Sequence, residues 1–202
     1  QTSQGGGRWQ SSNNGLGSAI LWMTVVPSNP PRILAGTRWN LLSSIPAKKT
    51  EWDSVNHGFG DTFVLSAVAD PQSTNRVFAG TWNGEIYVSV DGGSTWKLLS
   101  GALVKDSQNT SLVLMPASKS GAPTLYAGTS SGGVRVSKDG GATWSALNEG
   151  LTSLQVNRLE WAAGAIPRLL VGTGRGLFML TADGARWERV KAVPEIEIRA
   201  IA

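Results

Sequence analysis

The chain has 202 residues, 41% of them hydrophobic and 16% charged, with a formal net charge of +4, so it is long enough to bury a large core. It contains no cysteine, which excludes disulfides, thiolate metal sites and cysteine nucleophiles. No apolar run approaches the roughly 20 residues of a membrane-spanning helix and no Lys/Arg-rich run forms a nucleic-acid stripe, so neither a transmembrane segment nor a nucleic-acid partner is expected.

Residues 1–17 read as the end of a repeat. Gly5-Gly6-Gly7-Arg8-Trp9, followed by Ser12-Asn13-Asn14-Gly15-Leu16, mirrors Gly140 to Trp144 followed by Ala146-Leu147-Asn148-Glu149-Gly150-Leu151. In residues 18–60, Leu34-Ala35-Gly36-Thr37 leads to Trp52, 16 residues after its glycine. Residues 61–108 hold the clearest unit, in which Phe78-Ala79-Gly80-Thr81 precedes Ser89-Val90-Asp91-Gly92-Gly93-Ser94-Thr95-Trp96. Residues 109–154 repeat it as Tyr126-Ala127-Gly128-Thr129 and Ser137-Lys138-Asp139-Gly140-Gly141-Ala142-Thr143-Trp144. In residues 155–195, Leu170-Val171-Gly172-Thr173 leads through Thr181-Ala182-Asp183-Gly184-Ala185-Arg186 to Trp187, one residue short. The four glycines are 44, 48 and 44 residues apart, and residues 196–202 resemble the first strand of a further unit.

Within one unit, Thr62–Ala69 reads as strand A, Arg76–Thr81 as strand B, Ile86–Val90 as strand C and Thr95–Leu99 as strand D, with turn residues between them. Units of 40 to 50 residues made of short strands predict an all-β fold, a β-propeller of four-stranded antiparallel blades. Four complete blades are expected, with partial blades at both ends, in a single domain. In such a meander the A–B and C–D turns lie at one end of the blade and the B–C and D–A connections at the other. An unfilled gap at the ends would leave adhesive strand edges, so the natural polypeptide is expected to be longer, or a partner to fill the opening.

The Asp91, Asp139 and Asp183 turns read as structural. A short carboxylate accepts backbone N–H bonds, glycine allows positive φ, and Trp96, Trp144 and Trp187 pack beneath the hairpin. Ser-x-Asp-Gly-Gly-x-Thr-Trp, with the preceding Tyr-Ala-Gly-Thr, resembles the Asp-box or bacterial neuraminidase repeat. That repeat occurs in sialidases, xyloglucan-cleaving glycosidases, sortilin-type receptors and the photosystem II stability and assembly factor family. The resemblance implies the propeller strongly and the activity poorly, and it favours an extracytoplasmic location.

Aligned on the downstream glycine, the A strands put Trp22, Ser66, Ser111, Arg158 and Arg199 in one column, with Glu160 in the next column of the same mixed face. Period-two alternation assigns the opposite, apolar face (Leu21, Met23 and Val25 in the first blade) to packing and turns the mixed face to the central channel. There the arginines could take a carboxylate or sulfate and Trp22 could stack on a ligand; alternatively these residues fill the channel, with Arg158 or Arg199 paired to Glu160. On the B–C loops, Arg38, Trp39, Trp82, Asn83 and Arg175 join His57, Asp61, Lys105 and Asp106 of the D–A connections. The two tryptophans are either binding anchors or covers for neighbouring blades.

A sialidase reading fails on position. Arg32 shares its place at the start of strand B with Arg76 and Arg168, and Tyr126 aligns with Leu34, Phe78 and Leu170 in a core column. Nothing pairs two of Asp61, Asp106 and Glu160 as a glycosidase would need. No metal-ligand spacing and no phosphate-binding loop is present, so no cofactor or metal is expected. The sequence therefore points to a non-catalytic binding platform for a protein or a larger complex, with no catalytic residue assigned. The alternative is a carbohydrate-active propeller, either a glycan-binding lectin or a fragment of a glycoside hydrolase.

Overall fold

The computed structural model describes residues 19–38, 52–116, 121–162 and 168–201, with residues 41–44 as backbone. Among the described residues, sixteen strands form four antiparallel sheets of four, each in sequence order. The first comprises β1 (Ile20–Val26), β2 (Arg32–Thr37), β3 (Leu41–Ser44) and β4 (Asp53–Ser54). The second comprises β5 (Val64–Ala69), β6 (Val77–Thr81), β7 (Ile86–Ser89) and β8 (Lys97–Ser100). The third comprises β9 (Asn109–Met115), β10 (Thr124–Thr129), β11 (Gly133–Ser137) and β12 (Ser145–Ala146). The fourth comprises β13 (Val156–Ala162), β14 (Arg168–Thr173), β15 (Gly176–Leu180) and β16 (Trp187–Arg189). These are four blades of a β-propeller, and the strands of the second fall within a residue or two of those read from its sequence. The partial unit at 1–17 and Trp39 lie outside the described residues.

The first strands of successive blades face one another, β1 with β5, β5 with β9 and β9 with β13. The core accordingly lies between blades. Val26 and Leu34 of the first blade pack with Val64, Val77, Ala79, Tyr87 and Trp96 of the second. Phe78 and Ile86 pack with Leu112, Leu114, Leu125 and Ala127 across the next interface, and Val113, Tyr126 and Val136 pack with Leu159, Val171, Phe178 and Trp187 across the last. Complete burial of a side chain such as Phe178 or Leu159 contributes about 1.5–3 kcal/mol, so each blade depends on its neighbour for most of its stability.

The recurring strand-B glycine is what lets the blades approach. A Cβ on Gly128 would stand 2.5 Å from Val156 Cγ1 of the next blade, one on Gly80 2.9 Å from Asn109 Cβ, and one on Gly172 2.8 Å from Ile198 Cγ2. At Gly36 the ring of Trp22 occupies that space, and its indole N–H continues to the carbonyl of Val64 in the second blade, at 3.0 Å. The residue opposite each glycine is Trp22, Ser66, Ser111 or Arg158, so these four share a column as the sequence alignment placed them. Two of them, Trp22 and Ser111, turn into the interface with the following blade. Ser111 is 2% exposed, accepts the Leu159 N–H at 3.1 Å and donates to the Leu159 carbonyl, so it points into the next blade.

The A strands carry a second regularity that the sequence did not signal. In all four, the ladder to strand B slips just before the glycine-opposed residue, which leaves Leu21, Leu65, Thr110 and Asn157 as extra residues in a bulge. Thr110 and Asn157 use the position to reach the next blade, donating to the carbonyls of Val156 at 2.9 Å and Ile198 at 3.0 Å. The apolar face of β1 also differs from expectation: Leu21, Met23 and Val25 are 59%, 63% and 61% exposed. Their counterparts Ala67, Leu112, Leu114 and Leu159 pack in the clusters between blades. In a propeller both faces of a strand A meet other blades, so alternation distinguishes the preceding neighbour from the following one rather than core from channel.

Gly128→Ala should therefore destabilise the fold by about 1–3 kcal/mol through overpacking against Val156. Gly101→Ala, where nothing lies within 4 Å of the added Cβ, should change stability by less than about 0.5 kcal/mol. Urea midpoints of the two variants check the contrast.

Candidate functional site

The B–C turns and D–A connections meet at one end of the molecule. The Leu103 N–H donates to the Gly84 carbonyl, Gly133 to Leu154 and Gly176 to Ile196, each at 2.8 or 2.9 Å, and the Asn83 side-chain amide donates to the Asp61 carbonyl at 3.2 Å. The B–C turns of the second, third and fourth blades are thus each tied to the connection leaving the same blade, which holds side chains there in place.

Between the first two blades, this end carries a cavity of about 360 Å³ lined by Leu21, Thr37, Arg38, Phe63, Leu65 and Trp82. The bulge explains the two leucines, because the unpaired residue of each A strand turns out of the interblade packing and into the opening. Trp82 is 50% exposed while its backbone N–H donates to the Phe63 carbonyl at 2.8 Å, so a fixed main chain presents a half-free indole. The lining is almost wholly carbon and contains no carboxylate. A site of this kind holds an apolar or aromatic group by burial and supplies no proton-transfer group of its own.

Of the residues singled out in the sequence, Arg38 and Trp82 are brought together here, whereas Asn83 is engaged with Asp61 and the exposed Arg175 stands on the fourth blade. The proposed channel group is not assembled. Trp22 is committed to the interface with the second blade, and Arg158 pairs with Glu160 at 2.7 Å. Arg199 pairs instead with Glu197 at 2.9 Å, in a segment that forms no strand ladder. In both cases a carboxylate two residues away satisfies the arginine at the surface, so these two arginines are not paired on a common partner.

Arg32, Tyr126 and His57 each hold a structural position. Arg32 reaches across to the second blade and donates to the Gly92 carbonyl and the Ser94 hydroxyl at 3.2 and 2.6 Å, clasping the neighbouring turn. Tyr126 is 7% exposed and its hydroxyl is pushed up by burial. The His57 carbonyl accepts the Trp96 N–H at 2.8 Å, as the Glu149 carbonyl accepts that of Trp187, so the histidine holds a main-chain repeat position.

The Asp-Gly turns lie at the opposite end. Asp91 Oδ1 accepts the Ser89 hydroxyl and the Ser94 and Thr95 N–H groups, and Oδ2 accepts the Thr95 hydroxyl at 2.6 Å. Asp139 makes the same set with Ser137 and Thr143. The indoles of Trp96 and Trp144 donate to the carbonyls of Gly93 and Gly141 at 3.1 and 3.0 Å, and that of Trp187 to Leu147 at 2.8 Å. Leu21, Phe63 and Leu65, which line the apolar cavity, were not singled out as site residues. For Leu21 and Leu65 the one available signal was their shared place, one residue before the position opposite the strand-B glycine.

No family model and no curated protein sequence matches the chain. Solved structures do match it. An ancestral GH74 enzyme superposes with a TM-score of 0.69 at 18% identity over 90% of this chain and 25% of its own. The GH74 enzyme of Niastella koreensis gives 0.64 at 15% over 88% and 30%. The extracellular domain assigned to a hybrid two-component system of B. thetaiotaomicron gives 0.61 at 19% over 85% and 22%. The likeness is one of fold. The chain spans about a quarter of the length of these proteins, and among its described residues no helix is long and apolar enough to cross a membrane.

The hydrogen bonds to the turn carboxylates set a pH dependence. The Thr143 and Ser137 hydroxyls and the Thr143 N–H bring the Asp139 carboxyl down to about 2 from its ordinary 3.8. A depressed folded-state value contributes stability that is present above the unfolded value and lost as pH falls through the folded one. The stability gap between the native protein and Asp139→Asn should be largest above about pH 5 and shrink as pH falls toward 2, as measured by thermal unfolding across that range.

Proposed function

We propose that the chain is a non-catalytic binding platform for a protein partner, engaged through the end formed by the B–C turns and D–A connections. The observation that carries this reading is the cavity between the first two blades, where Leu21, Phe63 and Leu65 surround a half-exposed Trp82. A tryptophan over an apolar recess is the composition of an interface anchor site, where one buried side chain of a partner contributes much of the affinity. The occupant proposed is an apolar side chain of that partner, because the lining offers burial and no carboxylate.

A second reading, a carbohydrate-active propeller, is supported by the GH74 enzymes among the structural neighbours and by Trp82, whose indole face suits the C–H face of a sugar ring. Both readings go with an extracytoplasmic location, which the extracellular neighbour supports.

Trp82→Ala separates them. On the platform reading, the natural partner recovered with the native protein binds the variant about thirtyfold more weakly, and no glycan-array signal is lost. Unchanged partner affinity would remove the proposed anchor. A glycan signal that disappears in the variant would favour the second reading, and hydrolysis abolished by Asp61→Asn or Glu160→Gln would make the protein an enzyme.

A further inference from the structure

The fourth Asp-Gly turn differs from the second and third in a way that opens a second site. In those two the carboxylate is used by its own turn, with Oδ2 accepting the hydroxyl of Thr95 or Thr143. The fourth turn is one residue shorter and has Arg186 where a threonine precedes the tryptophan in the others. Its bonds to the carboxylate, from the Thr181 hydroxyl at 2.5 Å and the Ala185 N–H at 3.1 Å, both fall on Oδ1. The turn therefore leaves Asp183 Oδ2 to other partners.

That carboxylate stands on the wall of a cavity of about 440 Å³ between the third and fourth blades, within the range of about 300–1,000 Å³ that suits small ligands. Lys138 and Arg168 line the same cavity, as do Tyr126 and Trp161, whose rings meet edge to face with centroids 6.1 Å apart. Among the described residues neither cation is ion-paired, and an Arg168 nitrogen lies 3.7 Å from the Met179 sulfur, a weak acceptor. The bonds from Thr181 and Ala185 hold the Asp183 carboxyl below its ordinary value, so it is an acceptor at neutral pH.

The combination is selective. Two cations attract an anion, while Asp183 repels one and accepts from a hydroxyl. A ligand that satisfies both carries a carboxylate and hydroxyl donors on different atoms, and the two aromatic rings call for a face of C–H bonds beside them. We propose that this cavity binds a sugar acid, a single uronic acid residue. Its carboxylate lies on Lys138 and Arg168, a ring hydroxyl donates to Asp183, and its apolar face rests on the half-buried Trp161, which Tyr126 backs edge to face. A neutral hexose leaves both cations unanswered, and an apolar or peptide carboxylate brings no hydroxyl to Asp183 and meets it as a like charge. The site is at the opposite end of the blades from the apolar pocket and does not rest on the platform reading.

Isothermal titration calorimetry of the native chain tests it with the methyl glycosides of glucuronic and galacturonic acid. Methyl glucoside and methyl galactoside serve as neutral controls, and N-acetylleucine as a carboxylate without hydroxyls. At least one uronide should bind, about tenfold more weakly in Lys138→Ala and in Arg168→Ala. Both side chains are exposed, so these variants keep the fold. Asp183→Ala should weaken the uronide and strengthen N-acetylleucine. Binding of neutral and acidic glycosides with equal affinity, tighter binding of N-acetylleucine than of either uronide, or no binding of any of them would overturn the proposal.

Discussion

The structure depends on how closely one blade can approach the next, and that distance is set at the glycine of strand B. At Gly80 and Gly128 the space a side chain would fill belongs to the first strand of the following blade, and at Gly172 it belongs to Ile198 of the segment after the fourth blade. The constraint recurs at the C–D turns, where a Cβ on Gly93 would stand 2.6 Å from Leu34 Cδ1 and one on Gly141 2.5 Å from Leu99 Cδ2 of the preceding blade. Both glycines also have positive φ, so the turn conformation and the close approach demand the same residue. With the backbones this near, the apolar side chains of adjacent sheets interdigitate into the clusters that stabilise the fold.

Such packing makes each blade face a half-interface. Hydrogen bonds that cross it include those from Trp22 to Val64, Arg32 to Gly92, Ser111 to Leu159 and Trp161 to Leu114, so the rotation between blades is fixed by polar contacts as well as by burial. The bulge in each strand A puts one extra residue outside the strand ladder just before the glycine-opposed position. Where that residue is Thr110 or Asn157 it reinforces the next interface. Where it is Leu21 or Leu65 it lines an apolar recess, and the same backbone device serves packing in two blades and the wall of a cavity in the other two.

The strand order and register were legible because glycine, Asp-Gly turn and tryptophan recur at nearly constant spacing, and each has a steric or hydrogen-bonding reason to do so. The column of Trp22, Ser66, Ser111 and Arg158 was legible for the same reason. The direction in which that column points was not. A period of two says that successive side chains alternate, but both sides of a propeller strand are neighbours of other blades, and a bulge inverts the alternation without a mark in the sequence. The residues lining the recess were half legible: Trp82 and Arg38 stood out as loop residues, whereas Leu21 and Leu65 resemble core. At the other end, the missing residue before Trp187 was visible in the sequence, but only the hydrogen bonds show that it frees one oxygen of Asp183.

The two ends of the molecule thus have different chemistries, an apolar recess on the B–C side and charged, hydroxyl-rich turns on the A–B side. The most direct measurement of the account is hydrogen–deuterium exchange of the chain alone and bound to the protein partner with which it is recovered. Slowed exchange at residues 37–38, 63–65 and 82–84, with the turns at 138–140 and 182–185 unchanged, is the predicted result. Protection confined to those turns, with the recess unaffected, would contradict it.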